Sequence, residues 1–85
     1  MPKISEFYGI IVSMNFNDHP PAHFHVRYAE HQASLSIATG QIMEGSLPDR
    51  AYRLVNEWWA LHRRELEENW ARFEAQLPFL PIAPL

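Results

Sequence analysis

Residues 46–76 carry the pattern that most constrains the fold, because apolar side chains recur there at helical spacing. The stretch reads SLPDRAYRLVNEWWALHRRELEENWARFEAQ. At about 100° per residue, one face collects Ala51, Val55, Trp58, His62, Leu66 and Phe73, and most charged residues lie opposite. A helix with one apolar face must bury that face against another element. The pattern therefore predicts one long amphipathic helix over residues 46–76 that covers a sheet.

The first part of the chain shows the shorter apolar spacing of β-strands. Residues 7–16 (FYGIIVSMNF) are rich in β-branched and aromatic side chains, and residues 22–28 alternate strictly between apolar and polar. A third strand is predicted over residues 33–37, and a short fourth strand or extended arm over 41–45. The order of these elements predicts an α+β fold, in which three to four antiparallel strands pack against one long C-terminal helix.

The last nine residues, LPFLPIAPL, have a proline at every third position. Proline at that spacing favours an extended, left-handed conformation without internal hydrogen bonds. Because exposed apolar surface is unfavourable in water, we expect this tail to lie across its own helix or, alternatively, in a groove of a partner chain. The whole chain is short enough to be one domain, with a sheet in residues 1–45, the helix in 46–76 and the tail in 77–85.

The composition excludes several classes of function. Seven Lys and Arg residues and a formal charge of −3 argue against general binding of DNA, although a local site for one RNA substrate is compatible with them. The chain has no cysteine, so a metal site would need histidine and carboxylate ligands. No stretch approaches the ~20 apolar residues that span a bilayer, and no basic stretch followed by an apolar run opens the chain. We expect a cytoplasmic protein without membrane association.

The second predicted strand carries a row of chemically active side chains. Because successive side chains of a strand alternate, His23, His25 and Arg27 point away from the apolar residues between them. The preceding loop, NDHPPA, adds Asp18 and His19. The two strand histidines project from the same face about 7 Å apart, close enough to share a metal ion or a substrate.

Three interpretations of this row stay open. In the first, His23, His25 and Arg27, helped by His19, are catalytic residues that cleave RNA without a cofactor, since imidazoles transfer protons and a guanidinium binds phosphate. In the second, His19, His23 and His25 bind a zinc, nickel or ferrous ion, with Asp18 as a carboxylate ligand. In the third, the row is only the solvated face of a sheet.

His62 is a separate case, because it lies in the middle of the apolar stripe of the helix. A polar ring in that position needs a hydrogen-bond partner. We expect the partner to be the backbone or Asn69, which lies seven residues further along the same face. The functional alternative is contact with His19 around the edge of the sheet.

Three stretches of the chain resemble a known family. They are FYGIIVSMNFNDHPPAHFHVRYAEH, IMEGSLPDRA and NEWWALHRRELEENW. These stretches are similar to the small bacterial family called domain of unknown function 4160, and the similarity runs from Lys3 to about Phe73. The resemblance implies a compact single-domain prokaryotic protein whose gene lies beside that of a second small protein, as in toxin–antitoxin-like pairs. It implies no catalytic residue.

The histidine row and the resemblance together predict a component of a toxin–antitoxin-like pair, with endoribonuclease-like activity on the His/Arg face of the strand. Its expected partner is a small cognate protein or a second copy of the chain. Two alternatives remain. One is a noncatalytic interaction module that binds a partner protein through the strand face or the tail, and the other is a histidine-based metal-binding protein.

Overall fold

The computed structural model of the chain describes residues 2–85, which form five strands followed by one helix. The elements are β1 (Lys3–Phe7), β2 (Ile10–Ser13), β3 (His23–Tyr28), β4 (His31–Ser36), β5 (Ile42–Gly45) and α1 (Asp49–Glu74). Each strand pairs antiparallel with the next, so the sheet order is β1-β2-β3-β4-β5. The predicted α+β class is confirmed. The prediction of three to four strands is wrong, because the described residues form a sheet of five.

The additional strand arises from a tight turn inside the stretch predicted as one strand. Tyr8 and Gly9 have φ values of 50° and 78°, and they connect β1 to β2 in a hairpin in which Phe7 pairs with Ile10. Positive φ at both central residues is what a two-residue type I′ turn requires. Tyrosine rarely adopts that conformation, so the local pattern over residues 7–16 resembled one continuous strand.

Helix α1 covers one face of the sheet through its central tryptophan. Trp58 is fully buried, and its ring centroid lies 5.6 Å from that of Phe7 and 5.9 Å from that of Phe24. Its indole N–H donates a hydrogen bond of 2.9 Å to the carbonyl of Ala83, so the buried polar atom is satisfied. The same sheet face contributes the buried aliphatic residues Ile10, Val12, Val26 and Leu35. Burial of such side chains contributes about 1.5–3 kcal/mol each, so this layer holds the fold together.

Helix α1 is kinked at His62, whose φ of −120° and ψ of 18° are not helical. The imidazole packs against Trp58 with 5.5 Å between ring centroids, and its Nδ1 lies 2.6 Å from Glu65 Oε1. The partner of His62 is therefore a carboxylate on its own helix, and the prediction of the backbone or Asn69 is wrong. Among residues 2–85, no helix has the length and apolar character that crossing a bilayer requires.

The C-terminal segment (residues 77–85) follows the helix without forming a helix or a strand. The N–H of Ile82 donates a 2.8 Å hydrogen bond to the carbonyl of Ile4, so the segment covers part of the β1 edge. The side chain of Asn69 on α1 is hydrogen-bonded to both backbone polar groups of Leu80. The segment thus lies against its own helix and sheet edge, and no regular proline-rich structure is assigned to it.

Candidate metal centre

Strand β3 directs His25 and Arg27 to the face of the sheet opposite to the one that Trp58 of helix α1 covers. Phe24 and Val26 are buried in the core, whereas Arg27 is exposed on the other side and His25 is partly buried there. His23 shares the parity of these two residues, but it begins the strand and its side chain is only 9% exposed. The alternation predicted for this strand therefore holds for His25 and Arg27, whereas His23, at the start of the strand, is buried and contacts Trp70 of helix α1.

The loop between β2 and β3 brings a carboxylate to both histidines. Asp18 Oδ2 lies 2.9 Å from His25 Nε2, and Asp18 Oδ1 lies 3.4 Å from His23 Nε2. One atom suited to metal binding from each of these three residues lies within 4.8 Å of the other two. The carboxylate side chain is itself only 13% exposed. We call these three residues, Asp18, His23 and His25, the candidate metal centre.

His19 lies beside the candidate metal centre. Its ring centroid is 6.2 Å from that of His23, and its Nδ1 is 3.1 Å from the carbonyl oxygen of Pro20. The side chain is exposed and lines the cavity next to the centre. The groups that converge are thus Asp18, His23 and His25, and a catalytic or ligand role for His19 stays a prediction.

A backbone hydrogen bond orients the ring of His23. Its Nδ1 lies 2.8 Å from the carbonyl oxygen of Pro21, and a carbonyl can only accept, so Nδ1 carries the proton. In a neutral imidazole the lone pair is then on Nε2, the atom that faces Asp18. Metal-binding histidines are commonly held in this way, with the second ring nitrogen donating to a carbonyl. Trp70 packs against the same ring at 5.6 Å, which further limits its rotation.

The distances within the centre fit either a shared proton or a bound cation between the three groups. A lone pair on His23 Nε2 and a carboxylate oxygen 3.4 Å away repel each other unless a proton or a metal ion lies between them. Bonds of about 2.0–2.1 Å to a tetrahedral zinc ion separate ligand atoms by roughly 3.3 Å. The His23–Asp18 distance matches that value, and the 2.9 Å between His25 and Asp18 is the length of a direct hydrogen bond. The cluster can therefore share protons or, after a small adjustment, bind a metal ion.

The candidate metal centre opens into a cavity of about 540 Å³ on the same face of the sheet. Along its wall, the antiparallel register sets Ser34 opposite His25 and Gln32 opposite Arg27. Glu44 on β5 pairs with Ser34 and also lines the cavity. The structure thus brings the predicted histidine row into one cavity, and the chemical roles of its members stay predictions.

Strand pairing adds cavity residues that the sequence pattern missed. The alternation of the third predicted strand already made Ser34 a neighbour of the row, whereas Gln32 on β4 and Glu44 on β5 carry no motif of their own. Only the register of β3 with β4 and of β4 with β5 makes them neighbours of the histidine row. Asp18 did carry a signal, since a carboxylate close to two histidines in sequence is a recognisable candidate for a shared site.

The comparisons with known proteins identify a family and no individual relative. A family model described as "Domain of unknown function (DUF4160)" matches residues 9–71, which include the candidate metal centre and Arg27. No curated protein and no solved structure matches the chain.

Proposed function

The chain belongs to the family described as domain of unknown function (DUF4160), and from its geometry we propose that it binds one divalent metal ion through Asp18, His23 and His25. The observation that carries the proposal is the convergence of three ligand atoms within 4.8 Å of one another. The hydrogen bond from His23 Nδ1 to Pro21 supports it, because that bond leaves Nε2 free to bind a cation. Two imidazoles and one carboxylate suit zinc, nickel or ferrous iron.

The ligand count favours a catalytic metal site over a structural one. Structural zinc sites usually have four protein ligands, whereas catalytic sites have three and keep a position for water or substrate. Asp18, His23 and His25 provide three, and all three line the cavity of about 540 Å³. An ion held by these residues would lower the pKa of a bound water and polarise a substrate oxygen.

The geometry supports metal-assisted chemistry better than catalysis by two free imidazoles. A general acid–base pair must reach the substrate with its ring nitrogens. His23 Nδ1 is engaged by Pro21, and both Nε2 atoms are turned toward Asp18. Both Nε2 atoms therefore face the Asp18 carboxylate, the position in which a cation would bind all three groups.

Arg27 indicates an anionic substrate, and we propose phosphodiester cleavage, including that of RNA. The guanidinium is exposed, lines the same cavity and has the same parity as His25 on β3. A guanidinium binds two oxygens of a phosphate at once, while an ion at the neighbouring centre would polarise the same group. The endoribonuclease-like activity is therefore proposed in a metal-dependent form.

The toxin–antitoxin-like pairing is a separate proposal that rests on the family resemblance. It predicts that the wild-type chain arrests growth when it is expressed without its cognate partner. The His23→Ala/His25→Ala double variant should then grow normally and leave cellular RNA intact. Equal growth and equal RNA integrity in the two strains would instead favour the noncatalytic interaction module, which binds a cognate protein or a second copy.

Metal binding is tested first, on untagged protein. Elemental analysis and calorimetric titration with Ni²⁺ should show one ion per chain. Asp18→Asn, His23→Ala and His25→Ala should each weaken the affinity at least about 100-fold, since even changes around the ligands cost 10–100-fold. His31→Ala is the matched control, because His31 pairs with Glu30 at 3.7 Å and does not line the cavity. A wild-type chain that binds less than one ion, or an Asp18→Asn variant with unchanged affinity, would refute the proposal.

A further inference from the structure

We infer that the C-terminal segment positions the loop that carries Asp18, and that Phe79 is the positioning residue through which it acts. The inference rests on the proposed metal-binding function. Its basis is an aromatic stack between Phe79 and Phe16, with ring centroids 4.5 Å apart and an interplanar angle of 19°. Phe16 lies two residues before Asp18, in the loop between β2 and β3. A contact from the end of the chain thus reaches the metal-binding loop.

Phe79 is held in place on both sides by helix α1. The side-chain amide of Asn69 donates a 2.9 Å hydrogen bond to the carbonyl of Leu80 and accepts a 2.8 Å bond from its N–H. The Arg72 Nε–H donates a 2.6 Å bond to the carbonyl of Pro78. Asn69 is only 1% exposed, so water does not compete easily for its amide. The ring of Phe79 is therefore presented by a fixed backbone.

The metal-binding loop depends on such a contact more than the strand does. Of the three proposed ligands, two are on β3, where His25 pairs with both neighbouring strands and His23 pairs with β4. Asp18 lies outside the strands, and Phe16 is 50% exposed even with its stack. Loss of the stack would release a half-exposed ring into water, and the carboxylate two residues later would lose its fixed position.

The end of helix α1 also supports the histidine side of the centre. Trp70 follows Asn69 directly, and its ring packs against His23 at 5.6 Å. The ring of Phe73 lies 4.9 Å from that of Trp70 on the next turn. The same part of α1 therefore anchors the C-terminal segment and contacts the proposed ligand His23. Both the Asp18 loop and the histidine side of the centre are thus positioned by one helix.

The expected effect is a loss of metal affinity without a loss of the fold. An aromatic pair contributes enough to change an equilibrium by roughly 3- to 10-fold. Phe79→Ala and Phe16→Ala should each weaken Ni²⁺ binding by about that factor, and Phe79→Tyr should restore it because the ring is kept. Leu77→Ala, in the same segment and at a side chain that is 46% exposed, is the control and should bind as the wild type does.

A positioning role predicts that the effect of Phe79 passes through Asp18. In an Asp18→Ala background, where His23 and His25 alone bind Ni²⁺ weakly, Phe79→Ala should cause no further loss. Amide hydrogen exchange of residues 15–22 should rise in Phe79→Ala, and that of β3 should not. Equal affinities of Phe79→Ala and the wild type, or an equal loss in the Asp18→Ala background, would overturn the inference. If the wild type binds no Ni²⁺, the proposed function fails. The positioning role is then judged by hydrogen exchange alone, and unchanged exchange of residues 15–22 in Phe79→Ala would overturn it.

Discussion

Binding of a divalent ion should raise the thermal stability of this chain by a large amount. The three proposed ligands come from a loop and a strand whose relative placement exists only in the folded protein. A ligand that binds the folded state and not the unfolded state shifts the unfolding equilibrium in proportion to its occupancy. The experiment adds Ni²⁺ to the metal-free wild-type protein and, as the control, to the Asp18→Asn variant.

The expected shift follows from the size of the domain. At a free ion concentration of 100 times the dissociation constant, binding adds about 2.7 kcal/mol to the free energy of unfolding. For a domain of 60–100 residues, each kcal/mol raises the Tm by about 4–8 °C, and this chain has 85 residues. The Tm should therefore rise by about 10–20 °C. Asp18, His23 and His25 are close in sequence, so weak binding by the unfolded chain places the result toward the lower end.

Circular dichroism melts over a series of Ni²⁺ concentrations measure this effect. The wild-type Tm should rise steadily with the logarithm of the ion concentration above the dissociation constant. Asp18→Asn should melt close to the metal-free wild type at every concentration. A wild-type Tm that does not change, or an equal rise in Asp18→Asn, would show that the three groups do not form a metal site in the folded state.

Three further predictions concern the cavity and the fold. Arg27→Gln should keep Ni²⁺ affinity and lose RNA cleavage. Arg27→Lys should recover only part of the cleavage rate, because an ammonium lacks the planar fork of a guanidinium. Wild-type cleavage by Arg27→Gln would contradict the proposed phosphate contact. Asn69→Ala should lower the free energy of unfolding by about 2–3 kcal/mol in urea melts, since two hydrogen bonds to Leu80 are lost at a buried position; an unchanged urea midpoint would mean that the segment is not anchored there. Gly45→Ala should lower the free energy of unfolding by about 1–3 kcal/mol or more, because φ is +79° and the new Cβ would meet the Gln32 carbonyl. Gly9→Ala is the control: its φ is similar but the new Cβ would make only ordinary contacts, so the loss should be smaller.

The candidate site was predictable in part: the sequence indicated its strand residues but not the position of the loop that precedes the strand. Periodicity placed His23, His25 and Arg27 on one face, because the alternation of side chains is a property of every strand. It could not show that the loop returns over β3 and sets Asp18 within 2.9 Å of His25, since a loop path depends on what the loop packs against. Asp18 was a candidate ligand by residue type, but only the fold showed that it lies beside His23 and His25.

Local pattern was sufficient for the long helix and for the inward and outward faces of β3 and β4, because helical and strand periodicities are written in the spacing of neighbouring residues. Tertiary structure alone decided the Tyr8–Gly9 turn, the additional strand β1, the position of Asp18 between two imidazoles and the stack of Phe79 on Phe16. Each of these depends on contacts between groups that are distant along the chain or on a backbone conformation that the residue does not favour. These contacts depend on the core around Trp58, which sets the sheet, the helix and the C-terminal segment against one another.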